Sequence, residues 1–122
     1  MSAWRVIRVV CLTFCCLAGS PAMADWACEI TSAFVCDGAG KCAPDKVPLA
    51  ISIDDKATQY RRCRDTCEDF TVKIARDFFG STYSHEKDGI LANRSRSGEF
   101  TEVLLAQGRG IRALAFGGCR WR

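Results

Sequence analysis

The chain has 122 residues, 48% hydrophobic and 25% charged, with 17 basic and 14 acidic side chains for a formal net charge of +3. That length makes one domain with a modest core, and the charge is too evenly balanced for a nucleic-acid binder, which shows a stronger basic excess interleaved with aromatics. Nine cysteines in so short a chain put the redox compartment first among the questions.

Arg5 and Arg8 precede an uncharged run over residues 9–18. Gly19, Ser20 and Pro21 break that run, and Ala22, Met23 and Ala24 follow. A positive start, a short apolar middle and an A-x-A ending predict a secretory signal peptide over residues 1–24, cleaved between Ala24 and Asp25. The apolar run is about half of the ~20 residues a membrane-spanning helix needs. Cys11, Cys15 and Cys16 leave with this segment. Residues 25–122 remain as a single domain of 98 residues, with 15 basic against 14 acidic side chains. The charge is uneven, −3 over residues 25–70 and +4 over residues 71–122. That asymmetry reads as a solvated surface with a basic side.

Six cysteines stay: Cys28, Cys36, Cys42, Cys63, Cys67 and Cys119. An even number in a small exported domain predicts three disulfides, and six cysteines allow fifteen pairings that sequence leaves open. Loop length favours Cys36 with Cys42 across "CDGAGKC" and Cys63 with Cys67 across "CRDTC", which leaves Cys28 for Cys119. Zinc is the rival use of these thiols. Cys63 and Cys67 have a permitted spacing, but no second pair matches and His85 is the only histidine. A C-x-x-x-C spacing also departs from the C-x-x-C of redox pairs.

Beyond the cysteine-rich start, turn signals recur every few residues. In "KVPLAISID" Leu49, Ile51 and Ile53 share one face, and "TQYRRC" returns as the partner strand after "DDKA". "DFTVKIARDFF" alternates Phe70, Val72 and Ile74 against Thr71, Lys73 and Ala75. "STYSHE", "ILANRS", "EFTEVLLAQ" and "IRALAFGGC" follow, separated by "KDG", "RSG" and "GRG". Period-two alternation between glycine- and aspartate-bearing turns predicts hairpins. The expected fold is all-β: a small antiparallel meander closing as a barrel or sandwich, stapled by disulfides. The strands between Leu104 and Phe116 are apolar on both faces, so the N-terminal segment is expected to cover one of them.

The pattern of Trp26, Cys28 and Glu29, then Ser52, Ile53 and Asp54, then Tyr60, Arg62, Cys63 and Cys67, then "SGEFTEV" and a closing "FGGC", resembles an uncharacterised family of small exported, cysteine-containing proteobacterial proteins. That resemblance covers most of residues 25–122 and implies an exported β domain with no stated activity. A more distant likeness is to periplasmic inhibitors of c-type lysozyme, disulfide-linked β-barrels with a Ser-Gly-x-x-Tyr loop. Here the counterpart is Ser97, Gly98, Glu99 and Phe100, with phenylalanine one residue early. The plainer reading of Ser97 and Gly98 is a hairpin turn using the positive φ that glycine permits.

No set of residues reads as catalytic, cofactor-binding or metal-binding. A hydrolase would have to use His85, flanked by Ser84 and Glu86, with Asp88 near across a turn. Neighbours on a strand point to opposite faces, so Ser84 and His85 diverge. The carboxylate pairs Asp54–Asp55 and Glu68–Asp69 read as solvated turn residues. Two basic clusters remain, Arg61, Arg62 and Arg64 beside a cysteine, and Arg94 and Arg96 at a hairpin tip. Arginines at a loop tip grip carboxylate or phosphate on a partner. The expected function is a non-enzymatic, exported binding or inhibitory module. Its candidate surface is Arg61, Arg62, Arg64, Arg94, Arg96, Ser97, Gly98 and Phe100. The expected partner is another envelope or extracellular protein, without nucleic acid and without stable membrane insertion after the signal is removed. A small secreted hydrolase using His85 and a purely structural envelope protein are the alternatives.

Overall fold

The computed structural model describes residues 26–107 and 110–122; the leader read from residues 1–24 lies outside them. Ten strands form one antiparallel sheet: β1 (Trp26–Cys36), β2 (Cys42–Pro44), β3 (Ala50–Asp54), β4 (Gln59–Cys63), β5 (Cys67–Thr71), β6 (Lys73–Asp77), β7 (Gly80–His85), β8 (Ile90–Ser95), β9 (Glu99–Ala106) and β10 (Gly110–Trp121). A 3₁₀ turn, Glu86–Asp88, links β7 to β8.

The strand order is β5-β4-β3-β1-β10-β9-β8-β7-β6, with β2 paired to the far end of β1. The two outermost strands of that order, β5 and β6, are consecutive in sequence and separated only by buried Val72. One extended segment therefore pairs with β4 through its first half and with β7 through its second. This nearly closes the sheet as a barrel. Two hydrogen bonds stitch the seam: Val72 N–H to the Thr58 carbonyl at 2.9 Å, and His85 Nδ1–H to the Thr71 carbonyl at 2.8 Å.

Inward residues come from period-two alternation. Ile51 and Ile53, Tyr60, Tyr83, Ile90 and Ala92, Phe100 and Leu104, and Ala115 fill the interior. Tyr60 and Tyr83 meet at its centre, ring centroids 6.4 Å apart. The disulfides join Cys28–Cys119, Cys36–Cys42 and Cys63–Cys67, the pairing that loop length favoured. Each bridges residues directly opposite on paired strands. Thiols that a zinc site would have drawn on are thus consumed.

One expectation is corrected. The N-terminal segment was expected to lie over the doubly apolar strands. Instead it is a strand, β1, hydrogen-bonded edge to edge with β10 from Trp26 opposite Trp121 to Val35 opposite Ala113. It extends the sheet and covers no face. The outer sides of Leu105, Ile111 and Phe116 therefore stay about two-fifths exposed, with only Phe34 resting edge-on against Phe116. The segment's own alternation of Trp26, Cys28 and Ile30 was the signal for a strand, and its cysteines obscured it.

Candidate binding face at one end of the barrel

The arginines singled out in the sequence do not form one surface. Arg61 and Arg62 are neighbours on β4 and point to opposite faces. Arg61 lies outside and grips Asp69 of β5 in a bidentate pair, 2.8 and 3.2 Å. Arg62 turns inward and donates from Nε to Glu102 Oε1 at 3.0 Å. Arg64 clamps Asp45 at 2.9 and 3.0 Å, which holds the loop before β3. The Arg64 and Arg61 hydrogen bonds hold the Asp45 and Asp69 carboxyls, respectively, below their ordinary range.

Arg94 and Phe100 are corrected more sharply: both are buried and present nothing to a partner. β8 and β9 carry them inward by alternation with Leu91, Asn93 and Thr101, which face out. Phe100 belongs to the core. Ser97 and Gly98 do form the turn. Gly98 has φ +93°, and a Cβ there would lie 2.8 Å from the Cys119 carbonyl oxygen.

Two polar clusters occupy the barrel interior. In the first, the Tyr60 hydroxyl donates to Glu102 Oε2 while Arg62 holds Oε1. Glu102 is 1% exposed, so both partners are needed to satisfy a desolvated carboxylate. Burial, reinforced by the Glu102 charge, pushes the Tyr60 hydroxyl well above its usual pKa. The second cluster sits under the barrel end where β1 begins and β10 finishes. Asp55 accepts from the Tyr83 hydroxyl at 3.0 Å and from Trp26 Nε1 at 3.3 Å. Arg94 and Arg76 each bring a guanidinium nitrogen to 3.7 Å from Asp55. Arg94 also donates to Tyr83 Oη and Ser81 Oγ, both at 3.2 Å. Its guanidinium carbon lies 3.7 Å from the centroid of the Trp26 ring. This cluster fixes Trp26, and Trp26 in turn meets Trp121 edge-on at 5.0 Å.

Above that cluster is a rim the sequence reading missed. The β6–β7 turn carries Phe78 and Phe79, 74% and 76% exposed, and Trp121 at the end of β10 is 63% exposed. The turn is pre-set by its flanks. Asp77 Oδ1 accepts from the Phe79 and Gly80 amides at 2.8 and 3.1 Å, an Asx turn. Gly80 has φ +149°, and a Cβ there would lie 2.1 Å from the Arg94 carbonyl. The phenyl rings stand nearly perpendicular, centroids 5.5 Å apart. The neighbouring β8–β9 turn is tied on: Arg96 N–H donates to the Phe79 carbonyl at 3.0 Å, and the Arg96 guanidinium lies 4.9 Å from the Phe78 ring centroid. On its other side the same turn accepts from Cys119 N–H through the Gly98 carbonyl at 2.7 Å, next to Arg120 and Trp121. Of the predicted surface, then, Arg96, Ser97 and Gly98 belong here. Asp77-Phe78-Phe79-Gly80 carries turn chemistry around an apolar pair, a signal that the preceding strand-like alternation masks.

His85 lies at the opposite end. Nδ1 donates to the Thr71 carbonyl, Nε2 lies 2.9 Å from Asp88 Oδ2, and the ring packs against Phe70 at 5.4 Å. The approach of Asp88 is as the sequence suggested. Three disulfides fit an oxidising compartment, and among the described residues no helix is long and apolar enough to cross a membrane. Compared with family models, curated proteins and solved structures, the chain matches none.

Proposed function

We propose that the protein is a non-enzymatic binding module, exported to the periplasm or secreted, that meets its partner end-on through the rim of Phe78, Phe79, Arg96 and Trp121. One observation carries this reading. The three most exposed large apolar side chains among the described residues all stand at the same end of the barrel. Single exposed apolar residues are ordinary; three at one end of the barrel, two of them on a pre-set turn and one at a strand end, mark a contact surface. The leader over residues 1–24 and the three disulfides support export.

The test compares the purified protein with the Phe78→Ser/Phe79→Ser variant as bait for cell-envelope extracts. Intact mass before and after reduction first establishes a chain beginning at Asp25 with all six cysteines paired. The native protein retains envelope material that the variant does not, while both keep the same thermal midpoint. Equal retention by the two would refute end-on binding.

A further inference from the structure

We propose that the surface this rim engages is an anionic lipid layer, touched peripherally by the aromatic tip; the inference rests on the end-on reading above. The order of side chains along the barrel axis is the first reason. Phe78 and Phe79 stand outermost, beyond the ends of β6 and β7. Arg76 lies two strand residues behind Phe78, roughly 7 Å back at the usual rise. Arg96 and Arg120 flank the tip on the adjoining turn and strand end. A peripheral protein buries its apolar side chains roughly 5–10 Å into the boundary between headgroups and acyl chains. At that depth the arginines reach the phosphates while the phenyl rings reach hydrocarbon.

The second reason is that the tip's backbone asks little of its surroundings. The Phe79 and Gly80 amides are taken by Asp77, and the Phe79 carbonyl by Arg96 N–H. Entry into an apolar layer leaves those groups satisfied, so the penalty for stranded polar atoms does not arise at them. A protein partner would draw on such groups, since protein interfaces carry about one hydrogen bond per 100–200 Å². This tip offers rings and cations.

Charge is the third reason. Arg96 and Arg120 are exposed and have no ion-pair partner among the described residues. Asp77, the carboxylate at the tip, is turned into its own backbone. Asp55 below it is ringed by Arg94, Arg76, Tyr83 and Trp26. Exposed Glu99 stands beside the β8–β9 turn, so the rim's flanks carry Arg96 and Arg120 against one free side-chain carboxylate; the balance stays positive around an apolar centre, which complements phosphate over acyl chains.

Flotation with lipid vesicles tests this. The purified protein is mixed with vesicles of phosphatidylcholine alone, or of phosphatidylcholine and phosphatidylglycerol in equal parts, at low and at physiological salt. The protein floats with the anionic vesicles and much less with the neutral ones, and salt weakens the association. Arg96→Gln/Arg120→Gln lowers the partition coefficient about 25-fold, at about fivefold per arginine. Phe78→Ser/Phe79→Ser lowers it at least as much. Both variants alter exposed side chains, and an unchanged thermal midpoint certifies their fold. Failure to float with anionic vesicles, or floating that neither variant weakens, overturns the proposal. If vesicles fail while the phenylalanine variant loses a captured envelope protein, the lipid assignment falls and end-on binding stands with a protein as partner.

Discussion

Replacing Arg62 by methionine exposes what the barrel interior costs. Glu102 is 1% exposed and has two partners, Tyr60 and Arg62, with the Arg62 side chain 18% exposed. Methionine keeps the aliphatic bulk and removes the charge. Breaking a buried ion pair from one side typically destabilises by about 3–5 kcal/mol, because the remaining charge is left uncompensated. Arg62 keeps some contact with water and Tyr60 still donates, so the low end applies, about 3 kcal/mol. In a domain of this size that lowers the thermal midpoint by roughly 12–24 °C. Removing the whole polar group together, as Tyr60→Phe/Arg62→Met/Glu102→Leu, leaves neither a stranded carboxylate nor a stranded hydroxyl. That triple variant regains most of the loss, as replaced buried pairs commonly do.

Urea midpoints at neutral pH, measured with the disulfides intact, read the loss. A loss under about 1 kcal/mol would refute the assignment of Glu102 as a buried carboxylate held by Arg62.

Three further outcomes follow from the geometry. Cys28→Ser/Cys119→Ser removes the buried bridge between residues 91 apart in sequence; the chain-entropy argument puts its loss at about 4–5 kcal/mol, seen as a lower urea midpoint. In graded reduction with alkylation and mass mapping, Cys36–Cys42 and Cys63–Cys67 open before Cys28–Cys119, since Cys42 and Cys67 are exposed while Cys28 and Cys119 are buried; simultaneous opening of all three contradicts this order. The Asp45 and Asp69 carboxyls sit below the ordinary range because Arg64 and Arg61 hydrogen-bond them. Their contribution is present above the unfolded pKa of about 3.9 and fades as pH falls through the depressed folded values. Asp45→Asn/Asp69→Asn therefore flattens the acid limb of a plot of stability against pH, and an unchanged limb would count against both pairs.

Strands β3, β4, β7 and β8 were readable because each has one wetter and one drier side, and alternation reports that directly. Ile51 and Ile53 against Ser52, or Ala92 and Arg94 against Leu91 and Asn93, are such cases. The second of these also shows the limit. Alternation says which side faces in, and Arg94 lies on the inward side with Ala92; charge alone suggested the opposite. Its burial depends on Asp55, Tyr83 and Ser81, which come from β7 and the β3–β4 turn, and no local pattern announces partners that distant. The cysteine pairing was within reach because two loops were short enough to close on themselves. The rim was hidden for another reason: Phe78 and Phe79 complete the apolar rhythm of β6, and only Asp77 and Gly80 beside them mark the turn that throws both rings into solvent.

The polar interior and the aromatic rim are one construction. An apolar replacement for Asp55 and Arg94 could fill the same space, and buried ion pairs seldom add stability over such packing. What hydrocarbon cannot do is fix direction. Asp55 holds Trp26 through its indole N–H, Arg94 lies over the same ring, and Trp26 supports Trp121. Arg94 also lies immediately behind the turn from which Arg96 reaches Phe78 and Phe79. Directional bonds beneath the rim thus set the placement of the rings above it. Asp55→Ala should therefore free Trp26 in a barrel that stays folded, held by its three disulfides, but is less stable because Arg94 loses its buried carboxylate partner. In fluorescence quenching by acrylamide, tryptophan accessibility rises, and end-on binding weakens although no rim residue has changed. Binding that persists with full strength in that variant would show that the rim owes nothing to the charges beneath it.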